Sequence, residues 1–560
     1  MQSGSLSICA FTVHWPFAFA VPWPQPLDPL HSVVLSALVA AIPLLVILIL
    51  MGVLRRSSLM ASVSGLAAAV TLAILVWRMP ASLLAGSLAF GAAYAVWPIL
   101  WMVFTALWLY NLTQDTGNFD LLRRWIETHA SGNQGIQAIL VAFAFGALLE
   151  GTAGFGAPVA VTACLLVGLG FEARRAVIVA LIANTAPVAF GGLGIPIVAL
   201  AGVTGLYLNQ LSAMVGRQVP LLSFILPLYL VWVIGRGKAL RQTWPAALIA
   251  GASFALAQFT VSNLWGPYVA DVIASTFCIA TLVAYLKLWS RQEQPLTDPS
   301  LCKPAEGGGD TTPRLPLTTK QSFAAWLPWM LLSVVMVLWS SLKFLQFGQS
   351  TIPIPALHNG ALITLYQRLY AALYIFQPLA AGTAVLVTTI ITAFCLRTRP
   401  GVFFHSGVKA LRQLRIPGLT VIVIVALAYL YNYSGMAFTL GAAVAHAGSA
   451  FPLLSGYLGW AACFLSGSDT ASNVLFGNLQ VAAAHQLHLS PILLAATNSS
   501  GAVAGKMISP QNIAIGVTTV GLIGQEGRIL RSTFWHSILL AAFIGLLALA
   551  QAYWLTGMIP

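Results

Sequence analysis

Long apolar stretches recur along this chain from one end to the other, and they constrain its fold more than any other feature. The run from His31 to Leu54 is one of them, and Ile42–Leu54 within it contains no charged side chain. About twenty such residues cross a bilayer as a helix. Only 7% of the residues are charged, whereas an ordinary soluble domain carries about a quarter. The sequence therefore predicts an all-α integral membrane protein, because a helix satisfies its own backbone polar groups inside lipid.

A polar segment divides the predicted spans into two halves. A Trp- and Pro-rich lead-in (residues 1–30) precedes the first transmembrane half (31–289), and a polar linker (290–320) separates it from the second half (321–560). The linker combines Pro, Gly and both charge signs with few apolar residues, which is typical of a loop. The apolar runs predict about 12–14 spans. They lie near residues 31–54, 59–78, 81–112, 135–149, 152–171, 175–205, 218–235, 243–263, 267–288, 322–345, 369–396, 418–433 and 533–556, with an irregular apolar region at 436–515.

The positive charge of the chain lies in short loops, and no folded basic domain is evident. The net charge is +13, but Lys and Arg cluster between the predicted spans, for example at Arg174 and Arg175, as the positive-inside rule describes. This pattern argues against a nucleic-acid partner, places the linker in the cytoplasm and places the N-terminus outside. The six cysteines form no CxxC motif, so neither a metal site nor a disulfide framework is indicated.

Two regions interrupt the apolar pattern in the same way, one on each side of the linker. The first is Glu150–Pro158 and the second is Ser468–Phe476, and a Thr-Ala pair occupies matching positions in both. A second polar break follows each of them. We therefore predict an internal duplication, with one copy at about 135–205 and the other at about 453–515.

The second breaks match in their spacing. Each begins with an Asn, at Asn184 in the first copy and at Asn498 in the second. A Gly follows seven positions later in both copies (191 − 184 and 505 − 498), and a Pro follows twelve positions later (196 − 184 and 510 − 498). On the topology above, the two copies enter the membrane from opposite sides, which predicts the inverted repeat of many secondary transporters.

Broken helices inside a membrane have a specific use. Gly and Pro interrupt a helix, and lipid cannot satisfy the freed backbone groups, so such breaks persist only where they line a buried cavity. The exposed N–H groups at the start of a half-helix attract anions. Matched breaks in the two halves therefore predict one central substrate site.

The sequence of these breaks resembles that of the lactate permease family. The resemblance is carried by residues Glu150–Ala160, Asn184–Gly191 with Gly194–Pro196, Ser466–Asn473 and Asn498–Asn512, and it extends over most of the chain. It implies a single-chain importer of L-lactate, often also of D-lactate and glycolate, that is coupled to protons in the bacterial inner membrane. It also implies a fold related to that of ion transporters with paired re-entrant hairpins.

Three ionisable residues lie within the predicted breaks. Glu150 ends an apolar helix, and a charge at mid-bilayer costs at least about 2.5–3.5 kcal/mol, so it needs a partner or a wet cavity. Glu150 and Asp469 are candidate proton carriers, and each is equally suited to capping a half-helix or pairing with a base. Lys506 is the one base in the second broken segment and suits a substrate carboxylate. A structural ion pair with Asp469 or Glu150 is the alternative role for Lys506.

Neutral polar residues in the breaks suit the hydroxyl and carboxylate groups of a 2-hydroxy acid, since these groups need both donors and acceptors. For each residue alone, satisfying interrupted backbone is the simpler role, whereas the set around matched breaks favours substrate binding. Together with Lys506, the candidate substrate-binding set is Thr152, Gly154, Gly156, Asn184, Ser468, Thr470, Asn473, Asn498, Ser499, Ser500, Gln511 and Asn512. His446 and His485 flank the second break, and we expect packing roles for them.

Other function classes account for fewer of these features. An intramembrane enzyme needs a nucleophile and a base, but the chain contains no HExxH and no GxSxG motif. The segment Gly501–Lys506 is one residue too short for a phosphate-binding loop and lacks its Ser or Thr, which excludes that class of ATPase. A cation/proton antiporter, or a transporter of other organic or inorganic anions, is the open alternative. We expect no enzymatic activity and no cofactor beyond the coupling proton, and the sequence leaves the oligomeric state open.

Overall fold

The computed structural model describes most of the chain. The described residues are 22–54, 56–130, 133–152, 154, 156–289, 317–365 and 367–560. The lead-in before residue 22 and linker residues 290–316 lie outside this part. Helices carry most of what is described, as the apolar stretches predict.

Thirteen α-helices form the described part of the first half. In chain order they are α1 (Val33–Leu48), α2 (Ser58–Leu75), α3 (Ala81–Tyr94), α4 (Trp101–Asp115), α5 (Asn118–His129), α6 (Gln134–Gln137), α7 (Gly146–Thr152), α8 (Ala157–Gly168), α9 (Ala173–Ala183), α10 (Gly191–Thr204), α11 (Leu208–Val215), α12 (Val219–Leu264) and α13 (Ala270–Trp289). Neighbouring helices are extended or joined by π-helical segments at Ile49–Val53, Ala95–Leu100 and Ala138–Phe145 and by a 3₁₀ turn at Val188–Phe190.

Nine α-helices form the described part of the second half. They are α14 (Thr319–Ser341), α15 (Ala381–Cys395), α16 (Pro400–Ser434), α17 (Met436–Val444), α18 (Phe451–Ser466), α19 (Asp469–Gln486), α20 (Pro491–Lys506), α21 (Pro510–Thr519) and α22 (Glu526–Tyr553), with 3₁₀ turns at Phe344–Gln346, Ala445–Ala450 and Thr556–Met558. Polar caps fix several helix starts. Thr318 and Gln321 form a capping box on α14, and the side chains of Ser490 and Ser509 cap α20 and α21.

Five short β-strands, which the sequence did not predict, lie mostly between α14 and α15. They are β1 (Trp23–Pro24), β2 (Ser350–Pro353), β3 (Ala361–Ile363), β4 (Arg368–Leu369) and β5 (Leu373–Phe376). β3 pairs in parallel with β1 and antiparallel with β4, with Trp23 opposite Ala361, and β2 pairs antiparallel with β5. The span predicted near 369–396 therefore begins only at Ala381, because the residues before it pair as strands.

The predicted class of all-α membrane protein is confirmed. Ten described helical segments are long and apolar enough to cross a bilayer, or eleven if the bent pair α9–α10 is one span. Predicted spans 218–235 and 243–263 are joined in α12, which is interrupted only by non-helical backbone at Gly235 and Arg236. The span predicted at 152–171 is α8, whose 12 residues reach only about 18 Å across a hydrocarbon core of about 30 Å.

Each half contains two pairs of helices separated by a break, in the same order. The pairs α7–α8 and α9–α10 of the first half correspond to α18–α19 and α20–α21 of the second. The predicted broken helices are thus confirmed. The matched threonines lie on opposite sides of their breaks, because Thr152 ends α7 whereas Thr470 lies in the first turn of α19. The sequence match therefore locates these breaks only to within about one or two helical turns.

Small residues allow the broken helices to pack closely. A Cβ atom on Gly459 of α18 would lie 1.9 Å from the carbonyl oxygen of Asn498 in α20, a close approach that is typical of membrane helices. Residues 135–152 are all buried. Large apolar side chains such as Leu75 and Phe394 are exposed, as expected where a helix faces lipid. The segment that leads into the first break is thus enclosed by protein, whereas helices such as α2 and α15 expose apolar side chains.

Candidate functional site

Ends of the broken helices from both halves meet around one small cavity of about 70 Å³. The first half contributes the end of α7 and the start of α10, and the second contributes the starts of α19 and α21 and the end of α20. The predicted site residues that line this cavity are Glu150, Gly154, Ser468, Asp469, Thr470, Lys506, Gln511 and Asn512. The other lining residues are Val188, Gly191, Gly192, Ile195, Pro196 and Gly467.

A buried ion pair joins the two halves at this cavity. Nζ of Lys506 donates to Oε1 of Glu150 at 2.5 Å, and Nδ2 of Asn184 donates to Oε2 of the same carboxylate at 3.2 Å. Glu150 is 2% exposed and Lys506 is 7% exposed, so water screens the pair little. Charge-assisted hydrogen bonds of this kind are shorter and stronger than neutral ones. Of the two carboxylates expected as partners for Lys506, Glu150 is the one it contacts.

The helix ends make the two members of the pair unequal. Lys506 lies in the last turn of α20, where the negative end of the helix dipole favours a cation. Glu150 lies near the end of α7, where the same effect disfavours a carboxylate. The helix ends therefore favour the cation of this pair and disfavour its carboxylate.

The backbone in the second break of the first copy is fitted closely to the carboxylate of Glu150. A Cβ atom on Gly191 would lie 2.7 Å from Oε1 of Glu150. The chain then passes through three consecutive left-handed residues, Gly192, Leu193 and Gly194, with φ of 53°, 62° and 77°. The left-handed conformation costs a residue with a side chain, such as Leu193, about 1–2 kcal/mol. Such strain is typical of functional sites.

Asp469 is the second carboxyl group at the cavity. It lies in the first turn of α19, where Ser468 caps the helix by accepting from the N–H of Ala471 at 3.3 Å. Oδ2 of Asp469 accepts from the hydroxyl of Ser499 at 2.8 Å, and Oδ1 has no hydrogen-bond partner among the described residues. The helix start favours a negative charge on Asp469, and Oδ1 is available to a proton or a further hydrogen-bond donor.

A network of amides and hydroxyls supports this second carboxyl group from behind. Nδ2 of Asn473 donates to the hydroxyl of Ser499 at 3.0 Å and to the carbonyl of Pro196 at 3.1 Å. Nδ2 of Asn498 donates to Oδ1 of Asn473 at 3.0 Å, and Nε2 of Gln480 donates to Oδ1 of Asn498 at 3.2 Å. The network ties the second copy to the start of α10 in the first.

Three half-helices begin at the cavity. They are α10, α19 and α21, and the positive ends of their dipoles converge there, which favours a bound anion. Nδ2 of Asn512, near the start of α21, donates to the carbonyl of Gly467 at 3.2 Å and so holds two of these starts together. Thr470 and Gln511 add a hydroxyl and an amide to the wall. The arrangement suits a small, polar, negatively charged solute.

The remaining predicted residues do not line the cavity. Thr152 donates its hydroxyl to the carbonyl of Leu148 in its own helix at 2.8 Å. Gly156 has φ of 83° and packs against Ile515, and Ser500 is buried with no partner for its hydroxyl among the described residues. Four more predicted residues lie behind the lining residues and form hydrogen bonds that support them, namely Asn184, Asn473, Asn498 and Ser499.

The two histidines near the second copy lie away from the cavity. His446 belongs to the 3₁₀ turn Ala445–Ala450 and His485 to the last turn of α19, and both are exposed. Neither lines the cavity, so neither is positioned to pass a proton directly to it.

A third buried acid, Asp271, is not among the residues predicted above. It lies in the first turn of α13, is 1% exposed, and accepts a hydrogen bond from Nε2 of Gln258 at 2.8 Å. A Cβ atom on Gly151, next to Glu150, would lie 2.9 Å from the Cβ of Asp271, so α7 packs directly against it. A lone acid in the apolar span 267–288 was a usable signal, since intramembrane acids are often functional.

A larger cavity of about 470 Å³ lies at the other end of α10. Residues 191, 192, 195 and 196 of α10 border the small cavity, and residues 198 and 201–204 border the large one. The described lining of the large cavity contains no charged side chain and is rich in tyrosine, namely Tyr94, Tyr207, Tyr268, Tyr370, Tyr429 and Tyr433. We assign the candidate site to the small cavity because the buried charges are there.

Known proteins are similar in sequence to this chain over nearly its whole length. A family model described as L-lactate permease matches residues 36–555. The glycolate permease GlcA of Escherichia coli (strain K12) is 39% identical over 96% of this chain and 100% of that protein. The L-lactate permeases of Salmonella typhimurium (strain LT2) and Bacillus subtilis (strain 168) are 38% and 37% identical, each over 96% of this chain and 100% of the relative.

Among solved structures, the YdaH transporter of Alcanivorax borkumensis matches 85% of this chain and 89% of its own, with 14% sequence identity and a TM-score of 0.46. The family model and the full-length relatives carry the assignment, since they agree from the first span to the last. The chain belongs to the L-lactate permease family.

Proposed function

We propose that this protein imports L-lactate, and also D-lactate and glycolate, by proton symport across the bacterial inner membrane. The observation that carries the proposal is the buried pair of Lys506 and Glu150 at a cavity formed by both halves. Lys506 is the one buried basic side chain in the described part of the chain. A small anion that enters the cavity therefore competes with Glu150 for a single positive charge.

The cavity offers partners for both polar groups of a 2-hydroxy acid. Lys506 and the starts of α19 and α21 suit the carboxylate, while the hydroxyl of Thr470 and the amide of Gln511 suit the 2-hydroxyl group. The small volume favours a solute of few heavy atoms. The names of the related permeases specify L-lactate and glycolate, which supports the same class of substrate for this chain.

Competition for Lys506 supplies the coupling. When the substrate carboxylate binds Lys506, Glu150 loses its base while it stays buried, and an unpaired buried charge costs several kcal/mol. Glu150 then takes up a proton, so the loaded cavity holds one more anion and one more proton than the empty one. This balance favours symport of the substrate with one proton. Asp469, with one free carboxylate oxygen, is the other candidate proton acceptor.

The fold supports an outside N-terminus and a cytoplasmic linker between halves 31–289 and 321–560. The single span α14 separates the linker from the strands at 350–376. β1, near the N-terminus, pairs with β3 in that region, which argues that Trp23 and the linker are on opposite sides of the membrane. The positive-inside rule assigns the linker to the cytoplasm. On this orientation the large tyrosine-lined cavity, which β5 borders, opens outward and offers the substrate a path along α10.

The test is uptake of radiolabelled L-lactate into proteoliposomes with an imposed inward proton gradient, with protein-free liposomes as the control. We expect D-lactate and glycolate to compete for uptake and succinate not to compete. Uptake that depends on the gradient and is blocked by glycolate but not by succinate would support the proposal. No uptake by well-folded protein would overturn the proposal and favour a cation/proton antiporter or a transporter of other anions. Uptake driven only by Na⁺ would refute the coupling to protons.

A further inference from the structure

A cavity of about 260 Å³ lies between the two halves of the chain and shares no lining residue with the substrate site. α9 and α12 of the first half and α22 of the second contribute the described residues that line it. Those with polar side chains are Glu172, Arg174, Arg175, Ser532 and His536. One water occupies about 30 Å³ in the liquid, so the cavity has room for a group the size of a phosphate.

The charges on this lining do not cancel. Arg174 pairs with Glu172 at 3.5 Å, but both side chains are well exposed, at 49% and 61%, so the pair contributes little. Arg175 is half-buried and forms no ion pair within the described part of the chain. The lining therefore carries a net charge of +1 (2 − 1), and the planar guanidinium of Arg175 has no acidic partner there.

Two further groups on the lining suit an anion. α9 begins after Glu172, whose side chain does not cap the helix, so the N–H groups of its first turn are free to bind an anion. Nδ1 of His536 shares a hydrogen bond with the hydroxyl of Tyr229, which leaves Nε2 available to a ligand. Ser532 is not needed, because its hydroxyl donates to the carbonyl of Arg528 in its own helix. A guanidinium, an imidazole and a helix start therefore meet at this cavity, and together they suit a phosphate group.

The cavity lies where its three helices leave the apolar part of the membrane. α9 carries its arginines in the lining itself, Arg236 follows the lining residue of α12 by three positions, and Arg531 directly precedes the lining residues of α22. The orientation proposed above places this end in the cytoplasm. Trp232 and Trp535, which adjoin lining residues, are 43% and 72% exposed, and exposed Trp is typical of the membrane–water interface. Basic pockets between helices at this level bind the headgroups of anionic lipids.

Apolar side chains lead from this level into the membrane. Ile225 precedes Trp232 by seven positions on α12, and Leu539 follows Trp535 by four on α22, so each lies on the same helix face as its Trp. Both are exposed, at 43% and 55%. A phospholipid whose phosphate occupies the cavity can therefore lay its acyl chains along α12 and α22, which a free phosphate ion cannot do.

We propose that this cavity binds the phosphate of an anionic phospholipid. The positive-inside rule explains why Arg174 and Arg175 lie on this side of the membrane, but it does not require a half-buried arginine without a counter-ion beside a cavity. The phosphodiester of phosphatidylglycerol carries one negative charge, which matches the net charge of the lining. Arg175 and the start of α9 bind this phosphate, and Nε2 of His536 donates to it.

The two helices that a bound lipid joins also support the ion pair of the substrate site. α9 leads directly to Asn184, which donates to Glu150 at 3.2 Å. On α22, the residue after the lining histidine is Ser537, which donates to the carbonyl of Ala504 in α20 at 2.6 Å, and α20 ends at Lys506. A lipid that holds α9 and α22 together therefore steadies both members of the pair. We expect it to raise the rate of L-lactate uptake, a consequence that rests on the proposed function, whereas the binding itself does not.

The test is native mass spectrometry of the purified full chain, titrated with phosphatidylglycerol in the presence of phosphatidylcholine. Arg175→Gln removes the unpaired charge and keeps a polar side chain. Loss of one basic residue near an anionic lipid weakens binding by about fivefold, so we expect the dissociation constant of the tightest-bound phosphatidylglycerol to rise by that factor. Arg399→Gln, at an exposed position before α16 on the same proposed face, is the matched control and should bind as wild type does. Inorganic phosphate should not displace the lipid.

Equal binding of phosphatidylglycerol by Arg175→Gln and by its control would overturn the site. Displacement of the lipid by inorganic phosphate would overturn its assignment to a phospholipid. If Arg175→Gln does not fold, His536→Phe provides a second variant, because it keeps an aromatic ring and removes the Nε2 donor. The same weakening of phosphatidylglycerol binding is expected, and wild-type binding by this variant would contradict the proposed contacts.

Uptake of L-lactate into proteoliposomes tests the link to the ion pair. Vesicles of phosphatidylcholine with phosphatidylglycerol should support uptake at least about twofold faster than phosphatidylcholine alone, and Arg175→Gln should lose this advantage while Arg399→Gln keeps it. Equal rates in the two kinds of vesicle would refute the link. Protein that binds phosphatidylglycerol but transports no lactate in either vesicle would instead refute the proposed function, so the two failures are distinguishable.

Discussion

The two copies of the repeat build their second breaks differently. In the first copy, α9 ends at Ala183 and α10 becomes regular only after the left-handed residues 192–194. In the second copy, α20 continues to Lys506, and only residues 507–509 separate it from α21, which Ser509 caps. The second break of the first copy is therefore a long stretch of irregular backbone, and that of the second copy is a short gap before a capped helix.

The chemistry is divided along the same line. The first copy supplies the acid, Glu150, and the closely fitted Gly191, whereas the second supplies the base, Lys506, and a supporting network through Ser499. A duplicated sequence has thus produced two unequal parts, one with an acid packed closely against irregular backbone and one with a base at the end of a regular helix. Substitutions in the two copies should have correspondingly different effects.

The largest effect is expected for Lys506→Ala, which removes the base of the second copy. A substrate carboxylate that is buried without its counter-charge costs several kcal/mol, and about 1.4 kcal/mol is a factor of ten, so L-lactate uptake should fall below roughly 1% of wild type. Uptake of radiolabelled L-lactate into proteoliposomes measures this. Lys409→Ala breaks the surface pair of Lys409 with Asp115 and should leave uptake near wild type. Wild-type uptake by the Lys506 variant would exclude it as the substrate's counter-ion.

Lys506→Ala leaves Glu150 buried without a base, so folding needs a separate check. The double variant Lys506→Met/Glu150→Gln removes both charges, and replacing a buried pair by uncharged residues is often neutral for stability. We expect this variant to be monodisperse in size-exclusion chromatography and still inactive in uptake. Activity in the double variant would show that neither charge is needed.

Glu150→Gln should have the next largest effect, because it removes the acid of the first copy and keeps the side-chain shape. A glutamine cannot take up the proton, so gradient-driven accumulation should fall at least about tenfold, while lactate–lactate counterflow persists. Parallel measurements with and without the proton gradient separate the two modes. Accumulation that still follows the proton gradient would exclude Glu150 as the obligatory carrier and leave Asp469 as the candidate.

Gly191→Ala tests the close fit between Glu150 and the second break of the first copy. The backbone at Gly191 has φ of −61°, which suits alanine, but the new Cβ atom would lie 2.7 Å from Oε1 of Glu150. Overpacking costs about 1–3 kcal/mol, so we expect a fall of about tenfold in uptake rate. Gly237→Ala is the matched control, because its Cβ atom would meet nothing within 4 Å. Equal uptake by the two variants would show that the carboxylate of Glu150 shifts freely and that the second break of the first copy is not tightly fitted to it.

Ser499→Ala should have the smallest effect, because it removes one support from the hydrogen-bond network of the second copy. The hydroxyl of Ser499 donates to Oδ2 of Asp469 at 2.8 Å. A typical hydrogen bond contributes about 0.5–1.5 kcal/mol, so a rise of about three- to tenfold in apparent KM for L-lactate is expected. The control is Ser532→Ala, whose hydroxyl bonds only its own helix. A loss as large as that of Lys506→Ala would mean that this network itself holds the substrate.

The residues that meet at the site were easier to predict than the helices that carry them. Gly, Pro and charged residues inside apolar sequence are a local signal, because a membrane tolerates interrupted helices only where they are buried in protein or line a cavity. That signal identified Glu150, Asp469 and Lys506, which line one cavity in the structure. It also identified the breaks in both copies, although not their boundaries.

Features that depend on distant contacts were not predictable in this way. The strands at 350–376 include β3, whose partner Trp23 lies more than three hundred residues away. Asp271 belongs to a span without a break motif, and it lies against Gly151, the neighbour of Glu150, only because α13 packs against α7. Only the folded structure shows that a third acid belongs to the same group of charges.

Proton uptake on substrate binding is the most direct measure of whether lactate displaces Glu150 from Lys506. Calorimetric titration of the purified protein with L-lactate, in two buffers of different ionisation enthalpy, gives the number of protons taken up per lactate bound. Linkage between binding and protonation predicts about one proton for wild type and none for Glu150→Gln. Lactate binding to wild type without proton uptake would contradict the exchange of partners at Lys506 and, with it, the proposed coupling.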